Sequence, residues 1–343
     1  MKHDRTARPS VAANDAVCNG LVAFVGAVAY GAGCSMAADT TLARYADSSA
    51  LRGPLGALAR LREGLRARAD ATVDRLLGEA MLARLARLPG ARGGAGVDPF
   101  GFDPDVAKWA VLAARFLAVS YFRAQFTGVE KVPAGRVLII SNHSGQLPLD
   151  GMVIAAGLLT RGEPPRFVRS MVEKWTATLP FVSEFFQRCG QIVGVPENCI
   201  RLLEMGEAVL VFPEGARGIS KTFDRRYKLT DFGLGFMRMA LETGTPIVPV
   251  AVVGAEEQYI SLADIKPIAR LFGMPALPVL PQLLLPGGFL PLPTRYHVYF
   301  GDPMTFTGDS DDEDSVIEEK VAMVKATIQS MINRGLKERK SIF

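Results

Sequence analysis

The stretch Ser141–Asp150, SNHSGQLPLD, carries a histidine and an aspartate that could share one proton-transfer task. An aspartate bonded to one imidazole nitrogen fixes the tautomer and leaves the other nitrogen to take a proton from a substrate hydroxyl. On their own, His143 and Asp150 are equally well the two ends of a strand-to-helix turn, with Asp150 a plain helix cap. A second stretch, FPEGARG at 212–218, raises the interest of the first. Its Pro213 and Gly215 shape a tight turn, and Gly215 and Gly218 allow backbone to approach a ligand closely. Arg217 offers a planar fork for phosphate or carboxylate. Glu214 is placed to hold Arg217 or a substrate hydroxyl. Alone, this block also reads as a structural loop closed by an ion pair.

Both stretches follow short apolar runs, GRVLIISN (135–142) and AVLVF (208–212), which read as buried strands. The carboxyl ends of strands in open α/β sheets are where ligands and catalytic groups collect. Further strands are expected at 166–170, 191–195, 246–254 and 294–301. Helices are expected at 103–126, 151–159, 181–189, 197–205 (closed by Gly206) and 233–244. A last helix starts at Ser315 with SVIE as a capping box that brings in Glu318. The alternation predicts an α/β fold, a central mostly parallel sheet flanked by helices, with an N-terminal helical, membrane-associated segment ahead of it. His297, inside the strand at 294–301, reads as an ordinary strand residue sharing a face with Tyr299.

The chain has 343 residues, 49% of them hydrophobic, and a formal net charge of +4. Its mean hydropathy is +0.18. That charge carries no nucleic-acid signal. It is unevenly spread, however: 52–92 holds nine Arg, four acids and no Lys. Leu58, Leu61, Leu65, Thr72, Leu76 and Ala80 recur there at helical spacing, which predicts a long amphipathic helix seated on an anionic membrane or on the protein core. Residues 16–38 carry no charge, against the about 20 apolar residues that cross a bilayer. They read as a membrane anchor or interfacial helix, a buried helix, or a cleaved signal. The break at LPGARGGAG, 88–96, divides the chain into a tail (1–15), a basic helical region (16–96) and an α/β domain (97–343). Between two strands, 264–293 is rich in Pro and Leu. Its prolines exclude a straight membrane span, and it is expected to line a lipid pocket, dip into a membrane interface or pack as a loop. Four cysteines without a CxxC pair, and three histidines, give no zinc pattern. The cysteines read as buried hydrophobes of a reducing compartment.

In order along the chain, NHSGQLPLD, FPEGARG and PIVPV (246–250) resemble the motifs of the glycerolipid acyltransferase family, over about 127–305. The glycerol-3-phosphate and lysophosphatidate enzymes belong to that family, and LPLDG has the flavour of its diacylglycerol-type branch. The resemblance implies a general base, His143, oriented by Asp150. It also implies substrate binding by Asn142, Ser144, Gly145, Phe212, Pro213, Glu214, Gly215 and Arg217. The hydroxyl of a glycerolipid, lysophosphatidate or a neutral glyceride, would attack the thioester of acyl-CoA or acyl carrier protein. No covalent acyl-enzyme, metal or cofactor is implied. A membrane surface on the cytoplasmic face is the implied partner, and backbone donors of the SNHSG or PEG turns are the implied oxyanion hole.

Three departures are visible. The family separates its His and Asp by four residues, but here that slot is Pro148 and Asp150 stands two positions later. A phosphate-binding Arg expected in GQIVGVPE (190–197) is missing, with Pro196 near its place. A Lys expected before the next helix is replaced by Gly233. Fewer cations imply an acceptor less anionic than lysophosphatidate. The shifted Asp also leaves a second reading open, a non-catalytic lipid-binding or membrane-remodelling protein on the same fold.

Overall fold

A computed structural model describes residues 54–88, 98–173, 182–265 and 278–343. The tail at 1–15 and the uncharged stretch at 16–38 lie outside the described residues.

Two helices open the described chain, α1 (Pro54–Leu77) and α2 (Glu79–Leu85), separated by Gly78 at a φ of 77°. The long helix expected here is therefore broken, and its apolar stripe is not the buried one. Leu61, Leu65, Thr72, Leu76 and Ala80 face outward, while Val73, Leu77, Met81 and Leu88 pack on Val111 and Leu159. Polar pairs fix that choice of face. Lys108 sits 3.4 and 3.3 Å from Asp70 and Asp74, and Trp109 donates its Nε1–H to Asp70 at 3.2 Å. Arg115 closes the end of α1 by donating to the Leu77 carbonyl at 2.9 Å, a cation at the helix's negative pole.

Helix α3 (Pro104–Arg115) begins on Asp103, whose carboxylate accepts the Asp105 and Val106 N–H groups. It continues as one widened π turn, Phe116–Tyr121. The helix expected to reach 126 stops there, because Arg123 turns the backbone to a φ of 46°. The next residues form an edge strand, β1 (Gln125–Thr127), rather than a last helical turn. The chain then alternates: β2 (Val137–Ser141), α4 (Leu149–Arg161), β3 (Val168–Val172), α5 (Val182–Arg188), β4 (Ile192–Val193), α6 (Pro196–Glu204), β5 (Ala208–Val211), a short α7 (Ala216–Ile219), α8 (Gly235–Thr243) and β6 (Ile247–Val253). Gly206 follows α6 with a φ of 82°, the left-handed exit read from the sequence. After the small hairpin β7 (Ala263–Asp264) and β8 (Pro278–Val279) come β9 (His297–Phe300) and α9 (Asp314–Glu338). The capping box at Ser315 does not form. Helix α9 starts one residue earlier, where Arg238 holds Asp314 at 2.7 Å.

Seven strands make one sheet in the order β1-β9-β6-β2-β5-β3-β4. The five from β6 to β4 are parallel, and β9 runs antiparallel to β6 at one edge with β1 alongside it. The continuous apolar run of β2 is sorted between two cores, as a sheet covered on both faces requires. Leu138 and Ile140 face α6, α8 and α9 through Leu202, Met237 and Ile328. Val137 and Ile139 face α4 through Val153 and Ile154. Because β2, β5 and β6 are parallel, their carboxyl ends share one edge of the molecule. Among the described residues, no helix is long and apolar enough to cross a membrane.

Candidate active site

His143 stands two residues past β2 and Glu214 three past β5, on that shared edge. The intervening turn brings Asp150 back. Gly145 and Gln146 are both left-handed, with φ of 86° and 60°, and the Leu147 and Leu149 N–H groups close tight turns behind them. The two additional residues are thus absorbed in the loop, and Asp150 arrives as the second residue of α4, fully buried. Its Oδ2 lies 2.9 Å from Nδ1 of His143 and also accepts the Ser144 N–H at 2.9 Å. Oδ1 accepts the Gly151 N–H at 2.8 Å. Asp150 therefore does not serve as a helix cap. A carboxylate at Nδ1 makes that nitrogen the protonated one and leaves Nε2 with its lone pair. Among the described residues Nε2 has no hydrogen-bond partner. The imidazole lies flat on the Phe212 ring, with centroids 4.0 Å apart at 17°. It is held on one side by a charge and on one face by an apolar plate.

Glu214 does not hold Arg217. It is buried beneath the histidine, where Oε1 accepts the His143 backbone N–H at 3.0 Å. Oε2 accepts the N–H and the hydroxyl of Thr230 at 2.8 and 2.9 Å. Lys221, partly buried with its side chain 5% exposed, stands between two carboxylates, 3.5 Å from Glu214 and 2.9 Å from Glu256. Burial pushes the Glu256 carboxyl up to about 7, with Lys221 and the Tyr227 N–H opposing that rise. Arg217 is exposed and donates to the Asp231 carbonyl at 3.1 Å.

The remaining residues expected at the site are placed as follows. Asn142 is buried, with its amide exchanging two bonds with the Val252 backbone (3.1 and 2.8 Å), so it clamps β2 to β6. Ser144 is buried and its Oγ has no partner among the described residues. Pro213 accepts the Gly233 N–H at its carbonyl. Gly215, at φ 56°, caps the start of α7, and a Cβ there would stand 3.2 Å from Glu173. Gly218 admits the histidine rather than a ligand, since a Cβ at 218 would stand 2.8 Å from Cβ of His143. The N–H groups of His143, Ser144 and Gly215 are taken by Glu214, Asp150 and the Phe212 carbonyl. These three donors are therefore not free to serve an oxyanion.

Sequence reasoning missed Gln258. Its Nε2 donates to the Gly145 and Leu147 carbonyls at 2.6 and 3.2 Å, and its Oε1 accepts the Tyr296 hydroxyl at 2.5 Å. It braces the turn between His143 and Asp150 from the far side. A single glutamine after a strand carries no local signal for that role.

The His143–Asp150 pair thus stands at the carboxyl edge of a mostly parallel α/β sheet, and comparison with known proteins supplies the class. The family model described as Acyltransferase matches residues 123–253. The chain is 39% identical over 256 residues to an uncharacterized protein of Mycobacterium leprae, spanning 72% of this chain and 70% of that one. It is 26% identical over 210 residues to the DGAT1/2-independent enzyme synthesizing storage lipids of Gallus gallus, spanning 61% and 59%. The chain belongs to the glycerolipid acyltransferase superfamily. The solved 1-acyl-sn-glycerophosphate (LPA) acyltransferase, PlsC, of Thermotoga maritima aligns with it at a TM-score of 0.46 and 15% identity, over 82% of this chain and 99% of that one.

Proposed function

We propose that the chain transfers a fatty acyl group from acyl-CoA to a hydroxyl of a neutral glyceride at a membrane surface on the cytoplasmic side. Nε2 of His143 takes the proton of the acceptor hydroxyl as its oxygen attacks the thioester carbonyl carbon. The tetrahedral intermediate collapses with cleavage of the C–S bond. The departing thiolate receives the proton from the imidazolium, which Asp150 stabilises meanwhile. The products are an ester and free coenzyme A thiol.

The observation that carries this reading is the Nδ1···Oδ2 contact of 2.9 Å, which prepares Nε2 as a base. The neutral acceptor rests on the cations. A phosphomonoester carries a charge near −2 and needs free guanidinium or ammonium groups around it. Lys221 is already balanced by Glu214 and Glu256, and Arg217 reaches away to Asp231. The storage-lipid name of the Gallus gallus relative favours the same choice. Cys189 and Cys199, free and buried, support a reducing compartment.

An acceptor panel with labelled acyl-CoA tests the proposal: glycerol-3-phosphate, lysophosphatidate, monoacylglycerol and diacylglycerol. Ester formation is expected with the neutral glycerides. Strong, saturable transfer to lysophosphatidate with none to neutral glycerides would reject the acceptor assignment.

A further inference from the structure

Residues 278–293, PVLPQLLLPGGFLPLP, contain no charge and lie between β7 and β9. Scattered exposed leucines are ordinary on a protein surface. These are contiguous: Leu283, Leu284, Leu285 and Phe289 are 54%, 87%, 66% and 66% exposed, and the neighbouring Leu262 and Val279 are exposed as well.

The segment is built to present them. Its polar groups point inward, onto one side chain above all. Oε1 of Gln282 accepts the Ile260 N–H at 3.0 Å, and its Nε2 donates to the Gln258 and Leu290 carbonyls at 3.4 and 3.5 Å. Tyr259 donates its hydroxyl to the Phe289 carbonyl at 2.8 Å, and the Leu292 N–H reaches the Gln258 carbonyl at 2.8 Å. The chain passes so close to itself that a Cβ at Gly288 would stand 1.5 Å from the Gln282 carbonyl oxygen. These backbone groups are bonded within while the aliphatic side chains stand without, an arrangement that suits an apolar solvent.

Its position ties it to the active site. Gln258, which receives the segment, also holds the Gly145 and Leu147 carbonyls of the catalytic turn. Leu147 is itself exposed. The flanks are basic. The Phe223 N–H bonds the Ser261 carbonyl and so seats the exposed Arg225, Arg226 and Lys228 beside the hairpin, with Asp224 and Asp264 as the nearby acids. On the other side Arg123, exposed, donates to the Pro293 carbonyl. An apolar centre with a predominantly cationic rim complements an anionic bilayer surface.

We propose that 278–293 seats the protein on an anionic bilayer, with Leu283, Leu284, Leu285 and Phe289 among the acyl chains and the catalytic turn opening toward lipid. This rests on the acyltransferase reading for its purpose, but not for its test. The full chain is sedimented with vesicles of equimolar phosphatidylglycerol and phosphatidylcholine, and with vesicles of phosphatidylcholine alone. The variants are the triple change Leu284→Ser, Leu285→Ser, Phe289→Ser, the single Leu284→Ser, and the rim change Arg225→Gln, Arg226→Gln, Lys228→Gln. A control, Leu61→Ser with Leu65→Ser, alters the outward face of α1.

Losing three such side chains from lipid is expected to weaken binding to the anionic vesicles by on the order of a hundredfold or more. The single change should weaken it several-fold, the rim change should weaken it only where phosphatidylglycerol is present, and the control should bind like wild type. Melting temperature should not move, and transfer to a detergent-dispersed acceptor should stay at the wild-type rate. Wild-type vesicle binding by both 284-containing variants would overturn the proposal. So would a dimer in solution that the triple change converts to monomer with vesicle binding unaltered, since the surface would then belong to a second copy. Absence of transfer on every acceptor, with vesicle binding lost as expected, would reject the enzyme reading and leave this one standing.

Discussion

Nδ1 of His143 lies 2.9 Å from Oδ2 of Asp150, although the spacing in the chain is two residues longer than the four that the superfamily pattern implies. The turn accommodates the difference by placing Gly145 and Gln146 in the left-handed region. The aspartate's remaining capacity anchors the Ser144 and Gly151 N–H groups. One carboxylate therefore orients the ring and shapes the loop that carries it.

Asp150→Ala should thus damage two properties at once. Transfer is expected to fall by about 10²–10⁴-fold, the range for loss of oriented acid–base assistance. Folding should lose about 1–3 kcal/mol, because two N–H groups are left without their buried acceptor. Steady-state rates and urea melts separate the two effects. A variant with near-wild-type rates would show that another acid orients His143.

Gly218→Ala tests the packing of His143, the proposed base, against α7. The added Cβ meets Cβ of His143 at 2.8 Å and Cβ of Glu214 at 2.9 Å, and neither is the free end of a flexible chain. At least a tenfold loss of rate is expected, since small misplacements of a catalytic group are costly. Gly235→Ala, at the start of α8 with nothing within 4 Å, should be silent in rate and neutral or stabilising by up to about 1 kcal/mol. Equal rates for the two variants would contradict this account of Gly218.

The Glu214–Lys221–Glu256 group makes a pH prediction. Glu256 is raised from its ordinary value of 4.5 to about 7, burial being the main cause. A carboxyl raised on folding binds its proton more tightly in the folded state. Its contribution to stability is therefore full below about pH 4.5 and is lost as pH rises through about 7. Glu256→Gln should remove that component. The fall in urea midpoint from pH 4.5 to 7 is expected to be smaller in the variant than in wild type. Parallel profiles would mean that Glu256 is not raised in the folded protein.

On α1, Leu77→Ala should cost about 2–5 kcal/mol, because Leu77 packs on Val111 and Leu159. Leu65→Ala, on the outward face, should stay within about 0.5 kcal/mol. Thermal or urea melts of the two variants decide the face.

The contrast at α1 shows where the sequence could and could not be read. Leu58, Leu61 and Leu65 satisfy helical periodicity as well as Val73, Leu77 and Met81 do, and only the partners Lys108, Trp109 and Arg115 choose between the two stripes. The strands β2, β5 and β6 are plain in the sequence, because a sheet covered on both faces demands short continuous apolar runs bounded by turn residues, and 137–141, 208–211 and 247–253 supply them. The end of α3 was not plain, since FLAVSYFRAQF is equally apolar as helix or edge strand and pairing with β9 decides it. His143 and Asp150 were found as types at a spacing. That Glu214 serves the histidine backbone rather than Arg217, and that Gln258 braces the turn, are consequences of tertiary packing over 71 and 113 residues of separation. No local pattern records them.

The most direct test compares wild type with His143→Ala in transfer of a labelled acyl group from acyl-CoA to diacylglycerol and monoacylglycerol, both proteins being shown to fold. Wild type should form labelled ester, and the variant should be slower by about 10²–10⁴-fold with little change in affinity for the acyl donor. Equal rates in the two proteins would contradict the assignment of His143 as the base. Absence of transfer by the wild type on every acceptor, while it still binds vesicles, would instead favour a lipid-binding protein on this fold.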